Sequence, residues 1–271
     1  MTQPLLPLVV DPQDLKPLLR DQRVLLVDLS NRDSYVHQHL PGAHHVEFAK
    51  LLYSRPPVMG LLPPEAALRE TLSTLGLTTD HHVVAYDNEN GGKACRFLWT
   101  LEIAGHAQFS LLNGGLRAWL AADGEVTRET PVQQSSKYTV HLDARHLADK
   151  QFLLEHLQDP DVKVLDVRSP AEFSGADRRA ARGGHIPGAV NIEWTRALAS
   201  GGTGQLRSAP ELRALFESAG VTPDKDIVVH CQTHQRSAHT YIVLKSLGYS
   251  RVRGYPGSWS DWGNDPAVPI A

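Results

Sequence analysis

The sequence predicts an α/β protein of two tandem domains, each a mainly parallel β-sheet flanked by helices. Short apolar runs rich in β-branched residues alternate with segments whose apolar residues recur at helical spacing. This alternation is typical of parallel sheets covered by helices on both faces. The chain also repeats its own motifs in order, and its 271 residues suffice for two domains of ordinary size.

The repeat shows in motifs that recur at a nearly constant offset. HLPGA in the first half returns as HIPGA in the second, and both halves carry a Leu-Gly or Ala-Gly pair that predicts the end of a helix. The offset is 144 residues between Asp87 and Cys231, and 143 residues between Trp119 and Trp262. A tandem duplication explains this order.

The elements of each copy follow from the same patterns. A polar stretch over 124–138 lacks an apolar period and is the predicted linker, which places the two domains at 1–123 and 139–271. The strands are predicted over Val24–Val27, Val83–Tyr86, Val162–Val167 and Ile227–His230. The helices are predicted over Glu65–Leu77, Ala94–Ile103, Glu211–Ala219 and a segment after the cysteine loop that Ser237 opens and Gly248 ends.

Composition excludes several classes of protein. The chain is 41% hydrophobic and 21% charged, has a formal net charge of −3 and contains no basic stripe interleaved with aromatic residues. We therefore expect no nucleic-acid partner. The amino-terminal stretch has no basic region, and no apolar run reaches membrane-spanning length. Two cysteines favour a reducing compartment, so a cytoplasmic location without a membrane partner is expected.

Cys231 stands where a predicted strand meets a predicted helix. Backbone N–H groups of such a loop can converge on an anion, and the helix dipole adds positive potential. A thiol there should ionise below its free pKa of about 8.5 and act as a nucleophile. Burial in the core is the alternative for any free cysteine, and it is the interpretation for Cys95 within its apolar helix. The loop that follows the nucleophile consists of Gln232, Thr233, His234, Gln235, Arg236 and Ser237.

Together, the paired HxPGA segments, this cysteine loop and the closing GSWSDW resemble the rhodanese superfamily from about Asp11 onward. The chain is most similar to two-domain bacterial members with a CQTHxRS active loop. The resemblance implies a catalytic second domain that carries sulfur as a persulfide on Cys231, from thiosulfate to cyanide or a thiol, without a metal or organic cofactor. It implies an inactive first domain, because Asp87 replaces the cysteine there in a loop that we interpret as a solvated turn.

The resemblance also implies roles for residues outside the loop. Asp166 matches an acidic position and is expected to give structural support, whereas Arg168 and Trp194 match a substrate-binding arginine and a pocket wall, with core packing the alternative for Trp194. Glu172 stands where many relatives place a second substrate-binding arginine, which leaves the sulfur donor open. The predicted substrate-binding residues are Gln232, Thr233, His234, Gln235, Arg236, Ser237, Trp194 and Arg168.

Several roles are left with alternatives. Arg236 could brace the loop or meet an anionic substrate, and His234 could tune the thiolate or occupy the loop tip. His230 should be packed, because its side chain points to the opposite face of the strand from Cys231. The fourteen histidines show no convincing ligand spacing, so no metal site is predicted. Arg178, Arg179 and Arg182 form either a positive pocket rim or a solvated surface.

Three other functions compete with thiosulfate sulfurtransfer. A 3-mercaptopyruvate sulfurtransferase and a persulfide carrier to a protein acceptor would use the same cysteine. A cysteine phosphatase of the Cdc25 type would place five residues between Cys and Arg, whereas four separate Cys231 from Arg236. The predicted partners are a small sulfur donor and a thiol or cyanide acceptor. Two copies within one chain favour a monomer.

Overall fold

The fold is built from short buried strands and the helices that cover them. In the computed structural model, which describes residues Pro4–Ala271, the strands are β1 Val9–Val10, β2 Val24–Asp28, β3 His44–His45, β4 Tyr53–Arg55, β5 Val58–Leu61, β6 His82–Tyr86, β7 Phe109–Leu112, β8 Val162–Asp166, β9 Val190–Asn191, β10 Asp226–His230 and β11 Val252–Gly254. The α-helices are α1 Pro12–Leu15, α2 Arg32–His37, α3 Glu65–Leu75, α4 Gly92–Ile103, α5 Gly115–Ala121, α6 Lys150–His156, α7 Pro170–Phe173, α8 Ala209–Glu217, α9 Arg236–Ser246 and α10 Ser258–Trp262. Single 3₁₀ turns occur at Lys16–Leu18, Phe48–Leu51, Ala144–His146 and Trp194–Ala197.

Each repeat forms its own parallel sheet. The first has the order β1-β7-β6-β2-β3 and the second the order β11-β10-β8-β9, with every neighbouring pair parallel. A separate antiparallel hairpin joins β4 to β5. Two sheets flanked by helices confirm the predicted fold class, and the strands and helices begin or end within about two residues of the predicted limits, the margin expected at element ends.

The buried residues explain why the two copies fold alike. Val84 and Trp119 lie in one core, and Val228 and Trp262 lie in the other. Trp119 and Trp262, which the repeat pairs, are both fully buried. Cys95 on α4 is also fully buried, as expected for a core cysteine, and burial raises the pKa of its thiol.

The two compact units of the structure do not coincide with the two sequence repeats. The first unit contains the chain up to Leu51, Pro63–Leu142 and Ala199–Leu206, and the second contains Leu52–Leu62, Asp143–Leu198 and Arg207–Ala271. Each repeat thus gives one short segment to the unit built mainly from the other repeat. The predicted linker, 124–138, has neither helix nor strand. Within the described chain, no helix is both long and apolar enough to cross a bilayer.

Candidate active site

The cysteine loop connects β10 to α9. Cys231 directly follows the last residue of β10 and has 1% of its surface exposed. Helix α10 holds this end of the loop, because the Trp259 N–H donates to the Cys231 carbonyl at 3.0 Å and the Ser260 N–H donates to the Gln232 carbonyl at 3.1 Å. The loop reverses at His234, whose φ of +58° lies in the left-handed region. The backbone is therefore fixed on both sides of the thiol.

Charge and hydrogen bonds around the sulfur favour the thiolate. Burial raises the pKa of the Cys231 thiol. The positive charge of Arg236, the Ser237 hydroxyl and the backbone N–H groups of Ser237 and Thr233 together lower it by more than burial raises it, so the pKa lies below its ordinary value. The Ser237 hydroxyl donates to Sγ over 3.4 Å. This direction agrees with the shift predicted for a thiol at a strand–helix junction.

Arg236 is held by Glu172. Its Nη1 donates to Oε2 at 2.7 Å and its Nη2 donates to Oε1 at 2.8 Å. Burial raises the pKa of Glu172, but the Arg236 guanidinium outweighs burial and holds that pKa at about 2. Glu172 also closes a capping box with Ser169 at the start of α7. Arg236 thus braces the loop while its charge acts on Cys231, and its contact with an anionic substrate stays a prediction.

Asp166 and Arg168 lie in the protein interior. The Arg168 guanidinium bonds the Asp166 carboxylate at 2.6–3.0 Å and the Gly184 carbonyl at 2.8 Å, and it stacks 4.3 Å from the Trp259 ring centre. Only 1% of the Arg168 side chain is exposed. The geometry gives Arg168 a supporting place next to the helix that holds the loop, so substrate binding by this side chain stays a prediction that the contacts do not favour.

The remaining predicted residues lie in the loop or next to α9. Trp194 is partly buried and meets the His239 ring edge-on at 5.2 Å between centres. The Gln232 side chain donates to the Arg179 carbonyl at 3.1 Å, and Gln235 lies partly exposed before α9. His230 is fully buried, as expected for a packed side chain. Its Nδ1 lies 3.3 Å from the Cys231 carbonyl oxygen, and burial lowers its pKa. In the described part of the chain, no three His, Cys, Asp or Glu side chains form a group that could hold a metal.

The three arginines of the second-copy loop do not form one open positive rim. Arg182 bonds the carbonyls of Trp262, Asp265 and Val268, which fixes it to the carboxy-terminal segment. Arg179 pairs with Asp177 at 2.9 Å and lies 3.7 Å from Glu172. Arg178 bonds the Ala180 carbonyl. Arg182 is therefore held within the protein, whereas Arg178 and Arg179 are exposed.

Sequence reasoning missed the part played by the β4–β5 hairpin, because no motif marks it. The hairpin belongs to the second unit, where the Met59 N–H donates to Ser260 Oγ at 2.9 Å and Ser260 Oγ donates to the Met59 carbonyl at 3.1 Å. Gly60 has a φ of +75°, and a Cβ on it would lie 2.4 Å from the Thr233 carbonyl oxygen. Only glycine allows this approach of the hairpin to the cysteine loop.

The Asp87 loop in the first repeat is not the solvated turn that the sequence suggested. Asp87 has 1% of its surface exposed. Its carboxylate accepts four backbone N–H groups at 2.7–3.0 Å, those of Glu89, Gly91, Lys93 and Ala94. The loop therefore keeps convergent N–H donors, and its own carboxylate occupies them.

Comparison with known proteins agrees with this architecture. A curated thiosulfate sulfurtransferase of Azotobacter vinelandii is 43% identical over 265 residues, which cover 98% of this chain and 97% of that protein. A sulfur carrier protein of Thermus thermophilus is 36% identical over 264 residues, which cover 93% of this chain and 88% of that protein. The solved structure of an anaerobic ergothioneine biosynthesis enzyme from Chlorobium limicola shares the fold, with a TM-score of 0.87 and 22% identity over 97% of this chain and 69% of that one.

The family assignment rests on both repeats. The model of the rhodanese-like domain matches residues 11–122 and again residues 149–265. These ranges contain Asp87 and Cys231, the two residues at the equivalent loop position. The chain therefore belongs to the rhodanese family and carries two copies of its domain.

Proposed function

We propose that this protein is a thiosulfate sulfurtransferase that moves sulfane sulfur from thiosulfate to cyanide or a thiol through a persulfide on Cys231. The observation that carries the proposal is the cysteine loop, in which Arg236, Ser237 and backbone N–H groups lower the pKa of a buried thiol. The Azotobacter vinelandii relative, which bears the name of this activity and matches nearly the full length, supports it.

The chemistry takes two displacement steps. The Cys231 thiolate attacks the outer sulfur of thiosulfate, a new S–S bond forms, and sulfite leaves with the electron pair of the broken S–S bond. Cyanide or a thiolate then attacks the terminal sulfur of the persulfide, and the Cys231 thiolate leaves. The loop N–H groups and the charge of Arg236 stabilise the anionic sulfur in both forms. Neither step calls for a metal or an organic cofactor.

Thiocyanate formation from thiosulfate and cyanide tests the proposal. Wild type should be active, Cys231→Ala should be inactive, and Cys95→Ala should keep activity because Cys95 is a core residue. Mass spectrometry after thiosulfate treatment should show the gain of one sulfur on the peptide containing Cys231. Activity that survives Cys231→Ala would refute the mechanism.

A persulfide carrier to a protein acceptor is the second candidate, and the relative named as a sulfur carrier favours it. The chemistry at Cys231 would be the same, and only the acceptor would differ. Sulfur-loaded protein incubated with a cell extract would then transfer its sulfur to one defined protein, with kinetics that saturate only for that protein. Rapid turnover with cyanide but no transfer to protein would favour the small-molecule reaction.

Two further alternatives have direct assays. Mercaptopyruvate supplied in parallel with thiosulfate shows which donor is preferred, and Cys231-dependent hydrolysis of p-nitrophenyl phosphate would indicate a phosphatase.

The proposal also places the protein in the cytoplasm as a monomer, with an inactive domain at 1–123, a linker at 124–138 and a catalytic domain at 139–271. Gel filtration should give the 29.8 kDa mass of one chain.

A further inference from the structure

A chain of side-chain hydrogen bonds leads away from the sulfur of Cys231. Ser237 Oγ lies 3.4 Å from Sγ, and on its other side it lies 2.7 Å from His234 Nδ1. All three residues are at most 1% exposed. Water therefore does not replace these contacts, and the direction of each hydrogen bond has consequences for the charge of the sulfur.

Counting protons fixes that direction. A serine hydroxyl has a single proton to donate. When Cys231 is a thiolate it can only accept, so Ser237 gives its proton to Sγ, and the 2.7 Å contact then requires His234 Nδ1 to donate to Ser237 Oγ. When Cys231 is a thiol that donates its proton to Ser237, both bonds run the other way. The protonated site of the His234 ring is thus linked to the ionisation of Cys231.

We infer that His234 is a positioning residue that acts through Ser237: its Nδ1–H orients the serine hydroxyl toward Cys231 Sγ and so stabilises the thiolate. The inference rests on the proposed function, in which this thiolate is the nucleophile. Both His234 and Arg236 then favour the ionised form of Cys231. No atom of His234 needs to touch the substrate.

The backbone supports this assignment. His234 adopts a φ of +58°, a conformation that costs a histidine energy and that asparagine or glycine adopts more easily. In this conformation Nδ1 reaches the serine of the following helix. The other ionisable groups around the loop, which stay unchanged in the test, are Arg236 and His239 on α9, Glu172 on α7, Arg179 in the loop after it, His230 on β10 and Asp166 on β8.

The test measures the thiolate directly. The rate of iodoacetamide alkylation at Cys231 is followed against pH, with the modified peptide quantified by mass spectrometry so that Cys95 does not contribute. His234→Ala and Ser237→Ala should each raise the midpoint by about one pH unit, because each removes a hydrogen bond that favours the charged form. Asparagine at this position keeps a donor and tolerates the positive φ, so His234→Asn should stay within about 0.3 unit of wild type.

The double variant His234→Ala/Ser237→Ala is decisive. If His234 acts only through Ser237, the double variant should have the same midpoint as Ser237→Ala. An unchanged midpoint in His234→Ala, a further rise in the double variant, or a failure of His234→Asn to restore the midpoint would each overturn the inference. Because alkylation needs no sulfur donor, absence of thiocyanate formation alongside the expected midpoints would reject the proposed function and leave this inference standing.

Discussion

At the scale of single residues, two buried carboxylates, one in each unit, are stabilised in different ways. Glu172 is paired with Arg236 in two hydrogen bonds, whereas the Asp87 carboxylate accepts four backbone N–H groups. Each carboxylate is nearly fully buried. A buried carboxylate is stable only when such partners replace its water, so each partner set should be measurable in the free energy of unfolding.

Glu172→Gln should destabilise the protein in a pH-dependent way. The pKa of Glu172 is lowered from 4.5 to about 2, so its pairing stabilises the fold fully above about pH 4.5 and loses this contribution as the pH falls toward 2. The gap in urea midpoint between wild type and the variant should therefore be larger at about pH 6 than at about pH 3. Glu211→Gln is the matched control, because Glu211 has the same capping-box place on α8 but is exposed. An equal gap at both pH values would contradict the pairing.

Asp87→Asn should also lower the free energy of unfolding, by about 2 kcal/mol or more, because the new NH₂ group would face backbone N–H donors that then lack an acceptor. Urea unfolding at neutral pH measures the change. The partly exposed Asp21, whose carboxylate bonds Arg23, provides a control, and Asp21→Asn should change stability much less than Asp87→Asn does. Equal stability of the two variants would show that the Asp87 loop does not depend on its carboxylate.

At the scale of elements, the cysteine loop is held between α10 and the β4–β5 hairpin. Helix α10 fixes the carbonyls of Cys231 and Gln232, while the hairpin is fixed to α10 through Ser260 and reaches Thr233 at Gly60. Loops that carry function are often positioned in this way by a rigid frame. A small displacement of the hairpin should therefore reach the nucleophile.

Gly60→Ala should lower kcat for thiocyanate formation by tenfold or more, because its methyl group would push against the carbonyl of Thr233, whose own backbone N–H favours the Cys231 thiolate. Gly220→Ala is the control. Gly220 has nearly the same φ, +73° against +75°, but a Cβ there meets nothing within 4 Å. Both variants should lose about 1 kcal/mol of stability from backbone strain, and only Gly60→Ala should lose activity. Equal kcat values would mean that the hairpin contact does not position the loop.

At the scale of the whole molecule, duplication produced two units that each contain a segment of the other repeat. Leu52–Leu62 belongs to the unit of Cys231, and Ala199–Leu206 belongs to the unit of Asp87. Neither repeat alone therefore contains all the chain that packs in its unit. Through this exchange the first repeat supplies the hairpin next to the cysteine loop.

Residues 124–271 produced without the first repeat should accordingly be less stable and less active than the full chain, because they lack the hairpin residues. Urea unfolding and thiocyanate formation measure the two losses. Co-expression with residues 1–123 is the matched comparison, and it should restore part of both. A fragment that equals the full chain in urea midpoint and kcat would show that the catalytic unit is complete without the exchanged segment.

The sequence by itself determined the fold class and the duplication, and it indicated Cys231 as the expected nucleophile. These follow from local information: strands and helices have different apolar periods, the repeat preserves the order of motifs, and Cys231 stands between a strand and a helix. The burial of Cys95 and the packed position of His230 could be predicted for the same reason, since each depends on the period of its own element.

Only the tertiary structure decided what surrounds the thiol. Arg236 meets Glu172 across 64 residues of chain, and Met59 meets Ser260 across 201. The Asp87 carboxylate lies among convergent N–H groups because its loop folds around it. The polar sequence of this loop by itself predicted a solvated turn. Hydrogen bonds and charges act over a few ångströms, and which distant segments come within that range is set by packing of the whole chain and not by any local pattern.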